Sequence, residues 1–281
     1  MRLLICFLAM LFAASAVAEH DKSWTTAHEP FRVIGNVYYV GSEDLASYLV
    51  VTKAGLILVN PNLASSVPQI QASVEKLGFR VRDIKVILNS QAHLDHVEGM
   101  AAMKRLTGAK VEVMDADVSV MESGGRTDFR YGAEKDWWYE PVKVDVVLHD
   151  GDIVRLGGVE MTAHKTAGHT KGCTTWTMKV SENGVSYDVV MVGGVSANPG
   201  YKLKGDAQYP EMIGDFRRTF QTLKGLPCDV FLGAHGGYFG MEKKYKKLQA
   251  GDRLAFVDQM GLKAFVVESE KEFEEKVRKG A

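Results

Sequence analysis

Residues 90–99 read S-Q-A-H-L-D-H-V-E-G, which sets His93, Asp95 and His96 within four positions directly after an apolar run. Imidazole and carboxylate are preferred donors for Zn²⁺, and a catalytic zinc takes about three protein ligands and keeps one position open for water. Two further histidines suit such a site, His169 in A-G-H-T-K-G and His235 in L-G-A-H-G-G. Each follows a strand-like run and has glycine within three residues, the pattern by which a tight loop delivers a side chain at a sheet edge. Asp95 and His96, adjacent on one loop, can turn to one metal with His235 as its third ligand. His93 and His169 would form a neighbouring site whose third position falls on Gln91, a neutral amide and a weaker zinc donor than imidazole. The expectation is one or two zinc ions per chain, with the Asp95, His96 and His235 site filling first.

A zinc held in this way lowers the pKa of its water to about 7 and polarises a carbonyl, so hydrolysis by a metal-bound hydroxide is the expected chemistry. Asp95 is the candidate catalytic residue, holding metal and accepting a hydrogen bond from the nucleophile. Serine-hydrolase chemistry has no G-x-S-x-G elbow here, and G-x-G-x-x-G and P-loop patterns are absent. Other candidates have plainer readings. His149 and His164 lie inside strand-like runs, His20 and His28 belong to a polar leader, and Glu98 and Asp44 read as ordinary solvated or turn carboxylates. Cys173, four positions beyond His169, reads as a small buried hydrophobe in preference to a ligand.

Positioning these residues requires strands that end at loops. Short β-branched and aromatic runs at 31–33, 37–40, 47–51 and 56–59, punctuated by Gly35, Asn36 and Gly55, predict hairpin strands. A helix is predicted over 67–77, a buried strand over 84–88 leading into the motif, a helix over 97–107 and a strand over 111–114. The pattern restarts at 142: strands over 144–148, 159–164, 173–180 and 189–192, a helix over 210–223, a strand over 229–232 that carries His235, and a charged helical tail over 263–279. Two halves of similar design imply a layered α/β or α+β sandwich with ligands beyond the strand ends. The aromatic loop 122–141, with Trp137, Trp138 and Tyr139, can be packed structure or a substrate contact.

The chain has 281 residues, 46% of them hydrophobic and 25% charged, with a formal net charge of -1. Such a balance supports one large globular domain over 19–281 and argues against nucleic acid, which calls for a face rich in Lys and Arg. Residues 1–18 give a basic start, an apolar centre and an Ala16-Val17-Ala18 end, the pattern of a secretory signal cleaved after Ala18. That address predicts a periplasmic protein that is free of the membrane once cleaved. Cys173 and Cys228 then remain, in a compartment where thiols can pair.

With these residues in view, the chain resembles the metallo-beta-lactamase superfamily, whose signature is His-x-His-x-Asp-His with two later loop histidines, and within it the third subclass of the class B beta-lactamases. The resemblance runs from P-F-R-V-I-G-N-V-Y-Y-V-G at 30–41 through the metal motif, V-D-V-V-L-H-D-G-D at 144–152, A-G-H-T-K-G-C-T-T-W at 167–176 and P-G-Y at 199–201 to His235. It implies a four-layer αββα sandwich, a monomer, and hydrolysis of penicillins, cephalosporins and carbapenems that confers antibiotic resistance. By it His93 and His169 match a first zinc site, and Asp95, His96 and His235 a second. Three departures stand out. Gln91 replaces the first signature histidine, as in a minority branch. Val195 and Ala197 fall where serines commonly hold the substrate carboxylate, leaving Ser196, Asn198 and Lys202 as candidate contacts. Asn60 stands where an Asp near the metal is common. The alternatives are a superfamily hydrolase of a lactone or thioester, and a non-catalytic zinc-binding protein.

Overall fold

A computed structural model describes residues 21–280. The signal over 1–18 and His20 lie outside the described residues. The elements in order are α1 (Lys22–Thr25), β1 (Phe31–Ile34), β2 (Val37–Tyr39), β3 (Tyr48–Thr52), β4 (Gly55–Val59), α2 (Ser66–Lys76), β5 (Ile84–Leu88), α3 (Leu94–Val97), α4 (Met100–Thr107), β6 (Lys110–Met114), α5 (Val118–Ser123) and β7 (Val146–Leu148). The second half follows with β8 (Ile153–Leu156), β9 (Val159–Lys165), β10 (Thr174–Glu182), β11 (Val185–Val192), α6 (Met212–Gly225), β12 (Val230–Gly233), α7 (Met241–Gln249) and α8 (Gly261–Lys279).

One sheet has the order β1-β2-β3-β4-β5-β6-β7, and the other β12-β11-β10-β9-β8. Strands β1 to β4 pair antiparallel through hairpins, whereas β4 to β7 are parallel because helical segments return the chain between them. In the second sheet only β11 and β12 are parallel. Successive side chains of a strand face opposite ways, and the sequence uses both faces. Leu56, Leu58, Ile87, Val111 and Val113 pack outward under Ile70 and Val74 of α2 and Met100 and Met103 of α4. Ile57, Val59, Val86, Leu88 and Met114 belong instead to the core shared with Met161, Ala163, Trp176, Met178 and Val180 of the second sheet. That core continues through β11 and β12 to Phe216, Phe220 and Leu223 of α6 and Val266, Phe273 and Val277 of α8. The result is the expected helix, sheet, sheet, helix sandwich. Among the described residues no helix is long and apolar enough to cross a membrane.

Hydrogen bonds tie the two sheets together at one end. The Trp176 indole donates to the Asn89 carbonyl (3.0 Å), Thr174 N to Ser90 O (2.7 Å), the Tyr48 hydroxyl to Gly233 O (2.7 Å) and Ala46 N to Ala234 O (3.0 Å). This is the end at which the metal motif and His235 emerge.

Three expectations need correction. The helix predicted over 97–107 is α4, which begins only at Met100; Val97 ends the separate short α3, and the chain passes between them at Gly99, where a Cβ would lie 2.8 Å from Pro61 O and 2.9 Å from Leu63 O. The leader is more than an exposed tail: α1 lies within it, and the His28 ring packs on Phe31, Tyr39 and Tyr245 at 5.6, 5.7 and 4.6 Å between centroids. Strand β8 and helix α7 were not anticipated, since four residues between glycine turns and a lysine-rich nonapeptide carry little periodic signal.

Candidate metal centre

Two asparagines in left-handed backbone set the motif after β4 and β5. Asn60 (φ 58) donates from Nδ2 to the Ser90 hydroxyl (2.9 Å) and accepts at Oδ1 from Ser90 N (2.8 Å). Asn62 (φ 56) donates its amide to His96 O (3.2 Å), accepts from Gly99 N (2.8 Å) and reaches Leu45 O with its side chain (3.0 Å). Asparagine is among the few residues that enter this region at modest cost. The amide of Asn60 therefore does what a carboxylate at that position could do only in part, donating as well as accepting.

The motif turns His93 and Asp95 into a cleft of about 610 Å³ lined also by His169 and His235, with His96 fully buried beside Asp95. Asp95, His96 and His235 each present a ligand atom within 4.8 Å of the others. His96 Nε2 lies 3.2 Å and His235 Nε2 3.6 Å from Asp95 Oδ2. Beside them His93 Nδ1 faces His169 Nε2 at 3.2 Å. The structure thus groups the five expected ligands as two neighbouring sets, and Gln91 is buried at the start of the same loop.

Groups behind the ligands fix which ring nitrogen points inward. His235 Nδ1 is 2.8 Å from Asp44 Oδ2, and His169 Nδ1 donates to the Ser196 carbonyl at 2.6 Å, so Nε2 of each ring is left to ligate. His93 Nε2 lies 3.6 Å from Asp128 Oδ2, whose Oδ1 accepts from Arg130 N and Tyr131 N. Burial opposes charge on His235, but its hydrogen bonds to Asp44 and Asp95 outweigh that and raise its pKa to about 9. Burial, with the neighbouring His93, lowers the His169 pKa to about 3, leaving a neutral imidazole. Burial would raise Asp95, yet the charges and hydrogen bonds of His96 and His235 hold it well below the usual carboxylate range.

The donor set fits a zinc ion. Gln91 Oε1 is buried without a hydrogen-bond partner, and the buried His96 Nε2 has only Asp95, itself a candidate ligand, beside it. Such atoms cost about 1–3 kcal/mol each when unsatisfied, and a cation that takes their lone pairs removes the penalty.

Asp44, expected to be an ordinary turn carboxylate, instead orients His235 and accepts from Gly237 N at 3.0 Å. Glu98 is likewise structural, accepting from Ala64 N at 2.8 Å. Ser196 and Asn198 line the cleft; Lys202 is exposed and is not among its lining residues. Val195 and Ala197 are buried in the core. Cys173 and Cys228 are both unpaired; the Cys173 thiol is buried against Gly194 and pushed up to about 12 by burial. His164 contacts Thr177 at 2.8 Å and His149 is exposed, each away from the metal motif. The aromatic loop is packed at one point and faces the cleft at another: the Tyr139 hydroxyl donates to Ala92 O (2.8 Å), while Tyr131 and Trp137, stacked at 3.9 Å, line the cleft. Trp24 and Tyr238 line it as well, 5.9 and 5.2 Å from the His235 ring between centroids. Arg130 also lines the cleft and was not singled out from the sequence.

The family description that matches residues 43–180 is the metallo-beta-lactamase superfamily. Among solved structures, the native FEZ-1 metallo-beta-lactamase from Legionella gormanii is 45% identical, with 91% of this chain and 98% of that chain covered and a TM-score of 0.90. The class B3 di-zinc metallo-beta-lactamase LRA-12 from an Alaskan soil metagenome is 34% identical over 91% and 97% of the two chains, with a TM-score of 0.87. A curated relative, a probable metallo-hydrolase of Burkholderia pseudomallei, is 27% identical over 164 residues, 57% of this chain and about half, 52%, of the relative's length. Shared identity over nearly the whole of the solved relatives, together with a common arrangement of layers, places the chain in the metallo-beta-lactamase superfamily.

Proposed function

We propose that this chain is a zinc-dependent hydrolase that opens the four-membered ring of penicillins, cephalosporins and carbapenems, acting after export as a single-domain monomer. The observation that carries this reading is the convergence of Asp95, His96 and His235 within 4.8 Å, beside the facing His93 and His169. Beta-lactamase activity in relatives such as FEZ-1 and LRA-12 supports the substrate class.

When bound, zinc supplies a water acidified to near-neutral pKa and a Lewis acid for charge that develops on the leaving group. The chain's own residues do the rest. Asp95, held ionised between His96 and His235, accepts the hydrogen bond of the attacking water and aims it at the lactam carbonyl carbon. Water adds its oxygen there, the carbon to nitrogen bond breaks, and the ring nitrogen takes up a proton. Tyr131 and Trp137 beside His93, and Trp24 and Tyr238 beside His235, give the cleft an aromatic lining that limits bulk water around the reacting groups.

Asp95 adds a charge that the first set lacks, so the Asp95, His96 and His235 site binds zinc first, while Gln91 weakens the His93 and His169 site. Emission spectroscopy on desalted protein is expected to return well under two zincs per chain, and Gln91→His to raise the count. Two firmly held zincs in the parent would contradict this order. Turnover of a chromogenic cephalosporin, abolished by chelator and restored by zinc, tests the function; a panel of lactones and thioesters cleaved in preference to the cephalosporin would overturn it.

A further inference from the structure

We propose that Arg130 anchors the substrate's carboxylate, an assignment that rests on the beta-lactamase reading above. In penicillins, cephalosporins and carbapenems alike the carboxylate sits on the carbon bonded to the lactam nitrogen, next to the bond that breaks. Its anchor must therefore lie in the same cleft as the metal ligands. Among the described residues that line this cleft, Arg130 is the one Lys or Arg side chain.

Of the positions offered by the sequence, none in the cleft brings a positive charge: Lys202 lies outside the cleft lining. Ser196 and Asn198 line the cleft but carry no charge, and the Asn198 amide already donates to the Tyr131 hydroxyl at 3.1 Å, so they can assist an anchor without supplying the cation.

Arg130 is held ready. Its guanidinium carbon lies 4.7 Å from the centroid of Tyr131, whose ring meets His93 edge-on at 5.1 Å. The cation is thus one aromatic ring away from a metal ligand. Nε donates to the Pro199 carbonyl at 3.2 Å and Nη1 pairs with Glu134, while Nη2 makes no hydrogen bond among the described residues. Gly200 makes this seat possible: at φ +85 it has no side chain, and a Cβ there would stand 2.7 Å from both Nε and Nη2. Arginine offers five donors in a planar fork, and with two engaged the remainder can meet both oxygens of a carboxylate. Glu134 sets the plane of the fork from its outer side, with 43% of its side chain exposed.

The test compares Arg130→Met and Arg130→Lys with the parent, each zinc-loaded and checked for unchanged zinc content, on a cephalosporin and on its carboxyl methyl ester. For the free acid, Arg130→Met is expected to raise KM by about ten- to hundredfold with kcat less affected, as loss of a charge-assisted bond predicts. Arg130→Lys is expected to recover part of that loss, and neither variant should change KM for the ester. The KM of the parent for the acid should also rise with ionic strength, and that of Arg130→Met should not. An unchanged KM for the acid overturns the proposal, as does an equal loss on acid and ester, which would mark Arg130 as a prop for the Pro199 loop. A parent that turns over neither compound overturns the lactamase reading and this assignment together.

Discussion

His235 is oriented by a carboxylate 191 positions away in the chain, and the 2.8 Å contact between its Nδ1 and Asp44 Oδ2 decides which nitrogen faces the metal set. A carboxylate behind a ligating imidazole fixes its tautomer and raises its basicity, and removing such partners typically costs about 10–100-fold in metal affinity. Asp44→Ala is therefore expected to weaken zinc binding by about that factor, with Asp44→Asn intermediate because its amide oxygen still accepts without the charge. Competition against a chromogenic chelator reads the change, and an affinity equal to the parent's would show that His235 needs no such support. At this scale the candidate ligands were legible, because His93, Asp95 and His96 crowd four positions and His169 and His235 carry flanking glycines, and the structure brings all five side chains together. Asp44 was not, since nothing in its local S-E-D-L turn points to a distant ring. Arg130 was hidden for the same reason: its cleft-facing position depends on Gly200, and the contact exists only once two loops are packed.

Elements with a strict period of two were visible as strands because one face serves the shared core and the other serves the outer helices, as Ile57 and Val59 do against Leu56 and Leu58. Where the period failed, so did the prediction. Helix α7 reads M-E-K-K-Y-K-K-L-Q, which buries little beyond Met241 and Lys244, and α4 begins only after Gly99, which backbone oxygens crowd. Contacts between loops are equally invisible, and the link from α5 to the His169 loop is an example. Asp117, at the start of α5, accepts from the Thr170 hydroxyl (2.7 Å) and Gly172 N (2.8 Å) and is fully enclosed. Burial raises its pKa from 3.8 to about 6 against the pull of those donors. A carboxyl whose folded pKa exceeds its unfolded one binds more protons when folded, so its contribution to stability falls as pH rises from about 4 through about 6. In zinc-free protein, Asp117→Asn should therefore gain about 2–3 kcal/mol relative to the parent between pH 4 and pH 8. Thr170 can turn its hydroxyl to accept from the new amide, so the loop keeps its bonds. Urea unfolding at the two pH values measures the difference, and a constant gap between parent and variant would rule the titration out.

The molecule as a whole brings its candidate ligands from both sheets. Asp95 and His96 follow β5 of the first sheet, whereas His169 lies between β9 and β10 and His235 follows β12 of the second. A cation gripped by Asp95, His96 and His235 therefore adds to the Tyr48, Ala46, Thr174 and Trp176 hydrogen bonds that already join the sheets at that end. A ligand that binds only the folded state stabilises by about 2.7 kcal/mol at a hundredfold excess over its Kd, which for a chain of this size raises the unfolding midpoint by about 5–10 °C. Thermal unfolding with free zinc buffered at that excess is expected to show this rise over chelator-treated protein. Asp95→Ala, which removes the charged ligand while leaving the sheet contacts in place, should lose most of the shift and unfold near the zinc-free parent. A midpoint indifferent to zinc in the parent would mean that the ion does not bind the folded chain in preference to the unfolded one, and so does not bridge the two sheets.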